Sequence, residues 1–336
     1  MNRVTASASE RLLQCPGHAR LPWVRTESEA ATEGTRLHAL MEREEWDAEP
    51  QTYAARMAWV EWLTESGYTP TQVLVEQPVA IDTATRRGRL FANAGHRDYS
   101  SAKRDEVPGT IDLFAVVEGG SRKTSLVVLD WKFGREPVHA DSAQLRTLAA
   151  AAMLAPEYAH IEWALCIIVQ APPGCDEASI EIVGYGREQL VAHVDMLGDA
   201  LNEVSEGQVN LRRGDACKYC PAEASCPAQL AALSAIVAPG GAGPITPARA
   251  GEIWLELRQA KKRLEAIEDA CKTLASELPE GLPLPGGKRL VATTRSRTTV
   301  DAKALEAVAR EHGATSDEIA ACARTTTYST TQELKA

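Results

Sequence analysis

The feature that most constrains this chain is a run of apolar, β-branched segments broken once by an alanine-rich stretch. VLVEQPVAI (73–81), TIDLFAVVE (110–118) and SLVVLDWKF (125–133) each read as a strand bounded by turn formers. GGSRKT (119–124) between the last two reads as a hairpin turn, so these two strands pair antiparallel. ADSAQLRTLAAAAML (140–154) then reads as a helix capped by Asp141 or Ser142. IEWALCIIVQ (161–170) and ASIEIVGY (178–185) return to strand, and 187–207 is a helix ended by glycine. Strands in series followed by helix, strand, strand, helix exclude an alternating doubly wound sheet. They predict a mixed α/β core.

Helices precede the strands. Residues 7–15 form a short one that stops at Pro16, with Ser7 and Glu10 at capping-box spacing. After Gly34, Leu37, Leu40, Met41 and Glu44 recur at helical steps, and 51–66 continue helically. With 44% hydrophobic residues in 336, the chain can bury a sizeable core. No apolar run is long enough to span a bilayer, and MNRVTASASERLLQC has no signal-peptide core, so the expectation is a soluble, cytoplasmic protein without a membrane partner. The formal charge of −10 weighs against sequence-independent binding to a polyanion unless cations are concentrated locally.

The chemistry concentrates in 109–132. Asp130 and Lys132 stand two apart in an otherwise apolar strand and so point to one face. A carboxylate and an ammonium there are costly to bury without a purpose. If the hairpin forms, Asp112 of the preceding strand reaches the same end. Two carboxylates suit Mg²⁺ or Mn²⁺, whose ligands are oxygens, and such an ion polarises a phosphodiester and acidifies a bound water. The lysine can orient that water or offset developing charge. A salt bridge at a strand end is the competing reading of D-x-K by itself. Glu76 reads as a strand-surface charge.

A second constellation is thiol-based. Cys217-x₂-Cys220-x₅-Cys226 places three soft ligands in one tight loop, a pattern for metal binding. A fourth ligand is needed. Cys15, Cys166, Cys175, Cys271, Cys322 and the histidines qualify by type; Cys166 sits in an apolar strand and reads as core. Structural zinc and a [4Fe–4S] cluster both fit four thiolates.

GTRLHALME (34–42), GTIDLF (109–114), LDWKFG (129–134) and a helix bearing Gln144 occur in an order that resembles RecB-like nucleases of the PD-(D/E)xK superfamily, of the phage-encoded or CRISPR-associated type with an iron–sulfur cluster. The resemblance covers roughly residues 1–230. It implies a restriction-endonuclease-like mixed sheet flanked by helices and stapled by the cluster. It further implies His38, Asp112, Asp130 and the carbonyl of Trp131 as metal ligands, Lys132 as catalytic lysine, and Gln144 as a residue that supports the site or contacts substrate. The family's usual tyrosine four residues after that glutamine is here Leu148. The resemblance also implies Cys15 as partner of Cys217, Cys220 and Cys226 around the [4Fe–4S] cluster, closing a loop of about two hundred residues.

The expected activity is a metal-dependent DNA exonuclease acting on ends or single strands in phage or bacterial recombination and repair. A non-cleaving DNA-binding or assembly protein and a structure-specific endonuclease are the alternatives. No G-x-x-x-x-G-K-[ST] occurs, so unwinding would come from a partner. APGGAGPITP marks a linker over 231–248, and an appendage over 249–325 follows with a polar, mobile tail at 326–336. Ile253, Leu257, Ala260, Leu264, Ile267, Cys271, Leu274 and Leu278 trace a heptad seam over 253–278 that packs on the core or docks a partner or a second copy. KRLVATTR and RTTV predict a hairpin, with a helix from Asp301. Lys261, Lys262, Arg263, Lys288, Arg289, Arg295 and Arg297 are candidate phosphate contacts.

Overall fold

The computed structural model describes residues 4–23, 29–92, 99–103, 105–120, 124–207, 210–231, 246–278, 282–283, 289–290 and the single positions 310, 312 and 315. Two compact units are distinguished, 1–270 and 271–336. The first carries the sheet. Its helices are α1 (Ser9–Gln14), α2 (Glu29–Glu42), α3 (Pro50–Ser66), α4 (Ala143–Met153) and α5 (Arg187–Ser205). Its strands are β1 (Tyr68–Asp82), β2 (Arg87–Leu90), β3 (Glu106–Gly119), β4 (Thr124–Lys132), β5 (Trp163–Gln170) and β6 (Ser179–Gly186). They form a six-stranded mixed sheet in the order β2-β1-β3-β4-β5-β6.

Only β4 and β5 pair in parallel, and α4 is the crossover between them. The other neighbours are antiparallel. Alternation along β4 sorts its side chains to two cores. Leu126 and Val128 join the layer under α4 and α5; Val127, Leu129 and Trp131 join the layer under α2 and α3. With both faces covered, β3, β4 and β5 read as continuous apolar runs. α4 packs so closely on β1 and β2 that a Cβ on Gly88 would meet the Ala151 carbonyl at 1.9 Å.

Ser142 is the cap of α4, its Oγ accepting from the Leu145 N–H. The capping box expected at Ser7 and Glu10 does not form. Ala6–Ala8 is a 3-10 turn, Ser7 Oγ bonds Thr5 Oγ1, and the Glu10 carboxylate instead accepts from Gln14 Nε2 and the Ala143 N–H, tying α1 to the start of α4. β2 escaped the sequence pattern because RGRL has no apolar alternation; β1 and Leu154 hold it in place.

A further helix, α6, spans Pro247–Glu277. Along it Ile253 and Ala260 are buried while Leu257 and Leu264 are exposed, so the predicted seam is not buried along its length. The heptad's end at Leu274 and Leu278 belongs to the second unit, where β7 (Leu282–Pro283) pairs with β8 (Arg289–Leu290). Arg289 pairs upstream, with Pro283. RTTV, the helix from Asp301, most of the linker and the tail lie outside the described residues. No described helix is long and apolar enough to cross a membrane.

Candidate functional site

β3 and β4 stay in register from Glu118↔Thr124 to Leu113↔Leu129, and there the ladder ends. The next rung would be Asp112 opposite Asp130. Instead the Trp131 N–H donates to Asp112 Oδ2 at 2.9 Å, so a side-chain carboxylate takes the place of a backbone partner. Beyond this point the backbone ladder of β4 runs on with β5, through Lys132↔Gln170. The hairpin thus opens where the two aspartates face each other.

Asp130 and Lys132 share the face expected of them, and Lys132 Nζ lies 2.6 Å from Asp130 Oδ2. From α4, Gln144 Nε2 donates to the same oxygen at 3.4 Å. From α2, His38 Nδ1 stands 3.3 Å from Asp112 Oδ2, yet the pair does not meet hydrogen-bond geometry and Nδ1 is sealed from solvent without a hydrogen-bond partner. The His38 ring is fixed edge-on to Phe133 at 5.4 Å. His38, Asp112, Asp130, Lys132 and Gln144 all line one cavity of about 760 Å³. Trp131 is 3% exposed, its ring in the core, and only its backbone can serve the site.

Burial works against a charge on either aspartate. At Asp112 the neighbouring His38 and Lys132 outweigh it and hold the carboxyl below its ordinary range. Asp130 is pushed up, by burial first and by the facing Asp112, despite Lys132. Burial also opposes charge on His38, but Asp112 and Asp130 together raise it. Two buried carboxyls at close quarters with opposite shifts behave as one coupled pair, and a cation between them relieves the conflict. The donor set of imidazole, carboxylates and a nearby backbone carbonyl fits a divalent oxygen-preferring ion.

Two residues at this site were missed in the sequence. Glu76 is no mere surface charge: one ligand atom each from His38, Glu76 and Asp112 lie within 4.8 Å of one another. Tyr99 lines the cavity and bonds Thr110 through its hydroxyl at 2.8 Å. Leu148, at the position of the family's tyrosine, is 2% exposed and would be struck by a Cβ on Gly109, so it belongs to the cavity wall.

The thiols form a separate locus. Cys15, Cys217, Cys220 and Cys226 line one pocket, together with Arg11 and His18. The N-terminal segment and the cysteine loop meet there: the Arg212 N–H donates to Cys15 Sγ at 3.3 Å, the Ala216 N–H to Gln14 Oε1 at 3.1 Å, and Ser225 Oγ to the Pro22 carbonyl at 3.2 Å. No three of the four sulfurs come within 4.8 Å of one another. Cys166 is fully buried, its Sγ against the Leu145 carbonyl, as core packing predicts; Cys175 is exposed.

Fold and site together define a mixed α/β protein with a His/Asp/Glu group that could hold a cation at a split strand pair. The chain belongs to the family described as "Protein of unknown function (DUF2800)", whose sequence model matches residues 2–334. A solved structure titled "Crystal structure of SSO0001" is similar at 14% identity, over 68% of this chain and 87% of that one, with a TM-score of 0.27, too low for any comparison of folds. No curated protein matches.

Proposed function

We propose that this chain is a Mg²⁺- or Mn²⁺-dependent deoxyribonuclease with a restriction-endonuclease-like core, acting as an exonuclease on DNA ends or single strands. The carrying observation is the convergence of His38, Asp112, Asp130, Lys132 and Gln144, from the four elements α2, β3, β4 and α4, on one open cavity. Asp112 and Asp130, with His38 and the Trp131 carbonyl, are the residues that would hold the ion. Bound there, it would polarise the phosphodiester and acidify a water. The protein's own contribution is positional. Asp112 is fixed by the Trp131 N–H, and Asp130 by Lys132 and Gln144. The Lys132 ammonium is a quarter exposed and borders the cavity, where it can hold a water or offset charge on the phosphate. The chain's net negative charge makes ions at this site useful for association with DNA as well as for chemistry.

The four cysteines are proposed to hold a [4Fe–4S] cluster. Their shared pocket supports a common ligand. Structural zinc, which four thiolates also suit, is the alternative.

End-labelled linear and covalently closed circular DNA, each incubated with Mn²⁺ or Mg²⁺, test the activity. Degradation of linear DNA alone is expected; cutting of circles would replace the exonuclease reading with an endonuclease. Lys132→Ala should abolish cleavage and retain DNA binding in a gel-shift assay. Unchanged cleavage by that variant would refute the site.

A further inference from the structure

We infer that Glu76 is a cation ligand, completing a second ion position with Asp112 and His38; His38 then serves this second ion, the first keeps Asp112, Asp130 and the Trp131 carbonyl, and Asp112 is shared between the two. The inference deepens the proposed metal-dependent site and rests on it.

The first observation is an irregularity shared by two strands. β1 and β3 pair at Val75↔Leu113 and at Gln77↔Ile111, while Glu76 and Asp112 between them do not pair. The alternation of faces slips at this rung. In β3, Val107 and Ile111 lie in the same core layer as Phe114 and Val116, which strict alternation from Ile111 would place on the other face. In β1, Val79 and Ile81 share that layer with Leu74. Both strands slip together, so register is kept on either side and only Glu76 and Asp112 are displaced. Glu76 adopts φ 48°, the left-handed region that disfavours a side chain.

A second observation is independent of that backbone. His38 Nδ1 is buried, lacks a hydrogen-bond partner and faces Asp112 Oδ2 at 3.3 Å. Two ligand atoms bound at about 2.1 Å and at right angles on an octahedral ion lie about 3.0 Å apart. The His38–Asp112 separation is therefore close to the bite of one ion, and Glu76 supplies the third donor within 4.8 Å. Asp130 is outside this group; its Oδ2 is engaged by Lys132 and Gln144. Glu76 does not line the large cavity, whereas His38 and Asp112 do. Asp112 thus has Glu76 within reach and faces Asp130 across the opened hairpin, an arrangement for two ions bridged by one carboxylate.

Equilibrium dialysis of the full chain against Mn²⁺, without DNA, counts bound ions by metal analysis and by the EPR signal of free Mn²⁺. Two ions per chain are expected, falling to one in Glu76→Gln and in Glu76→Gly. Glycine is at ease at φ 48°, so the second variant keeps the backbone and separates ligand loss from misfolding. One ion in wild type, or two ions retained in both variants, overturns the second position. Loss of all Mn²⁺ binding in both variants overturns it too, because Glu76 would then serve a single site. No Mn²⁺ binding by wild type at all would instead overturn the metal-dependent reading beneath it.

Discussion

Between α1, α4 and α5 lies a polar knot that should make the protein acid-sensitive well above the carboxylate range. His193 on α5 is 2% exposed. Its Nε2 lies 2.9 Å from Thr147 Oγ1, which is also 2.9 Å from Ser9 Oγ and 2.7 Å from the Ala143 carbonyl. The other ring nitrogen is buried without a hydrogen-bond partner. Burial, and then the Arg146 guanidinium, lower the His193 pKa from 6.5 to about 4. The unfolded chain therefore binds more protons than the native one between these values, and stability rises with pH across that window. The contribution is complete above pH 6.5 and is lost progressively as pH falls toward 4. The difference of about 2.5 pH units corresponds to roughly 3 kcal/mol in full, and to about 2 kcal/mol by pH 5. That is a large share of the stability of an ordinary domain. Urea unfolding followed by far-UV circular dichroism, at pH 7 and pH 5, should show this loss in wild type and a much smaller one in His193→Gln. Equal losses in the two proteins would refute the reasoning. The knot matters to function because α1 leads into Cys15 and α4 carries Gln144, so its release loosens both loci.

Two further substitutions separate packing from metal binding. Gly88→Ala drives a methyl into the Ala151 carbonyl, a backbone atom that cannot rotate away, and should cost at least about 3 kcal/mol in thermal unfolding. Cys15→Ser should strip iron and acid-labile sulfide, and the absorbance near about 400 nm, from anaerobically purified protein. A colourless wild type with stoichiometric zinc would replace the cluster.

Legibility from sequence followed periodicity. β3, β4, β5 and α4 were readable because continuous β-branched apolar runs, turn residues and the Ser142 cap all agree locally. Asp130 and Lys132 were readable because two residues on a strand must share a face. Asp112 followed from the hairpin register. His38 and Gln144 carry no local signal of their own, and only the resemblance singled them out; the fold then brings them within reach of the aspartates. Glu76 was unreadable for a physical reason. Regular alternation makes it a surface charge, and a slip at one rung, invisible in the sequence, turns it toward Asp112. The capping box failed because Glu10 had a tertiary partner, the N-terminus of α4, in competition with the local one.

That same rung governs how the site can be dissected. Asp112 has two roles to separate: it satisfies the Trp131 N–H where the β3–β4 ladder has ended, and in the proposed site it would present a carboxylate to a cation. Truncation to alanine would remove both functions, leaving a buried amide unpartnered at a cost of about 1–3 kcal/mol. Lost activity in that variant would then be ambiguous between chemistry and a displaced β4, on which Asp130 and Lys132 ride. Asparagine keeps an acceptor for the Trp131 N–H while removing the charge. Asp112→Asn is therefore the substitution that isolates the cation-binding role, and the closeness of its folding stability to wild type is the control that makes its activity interpretable.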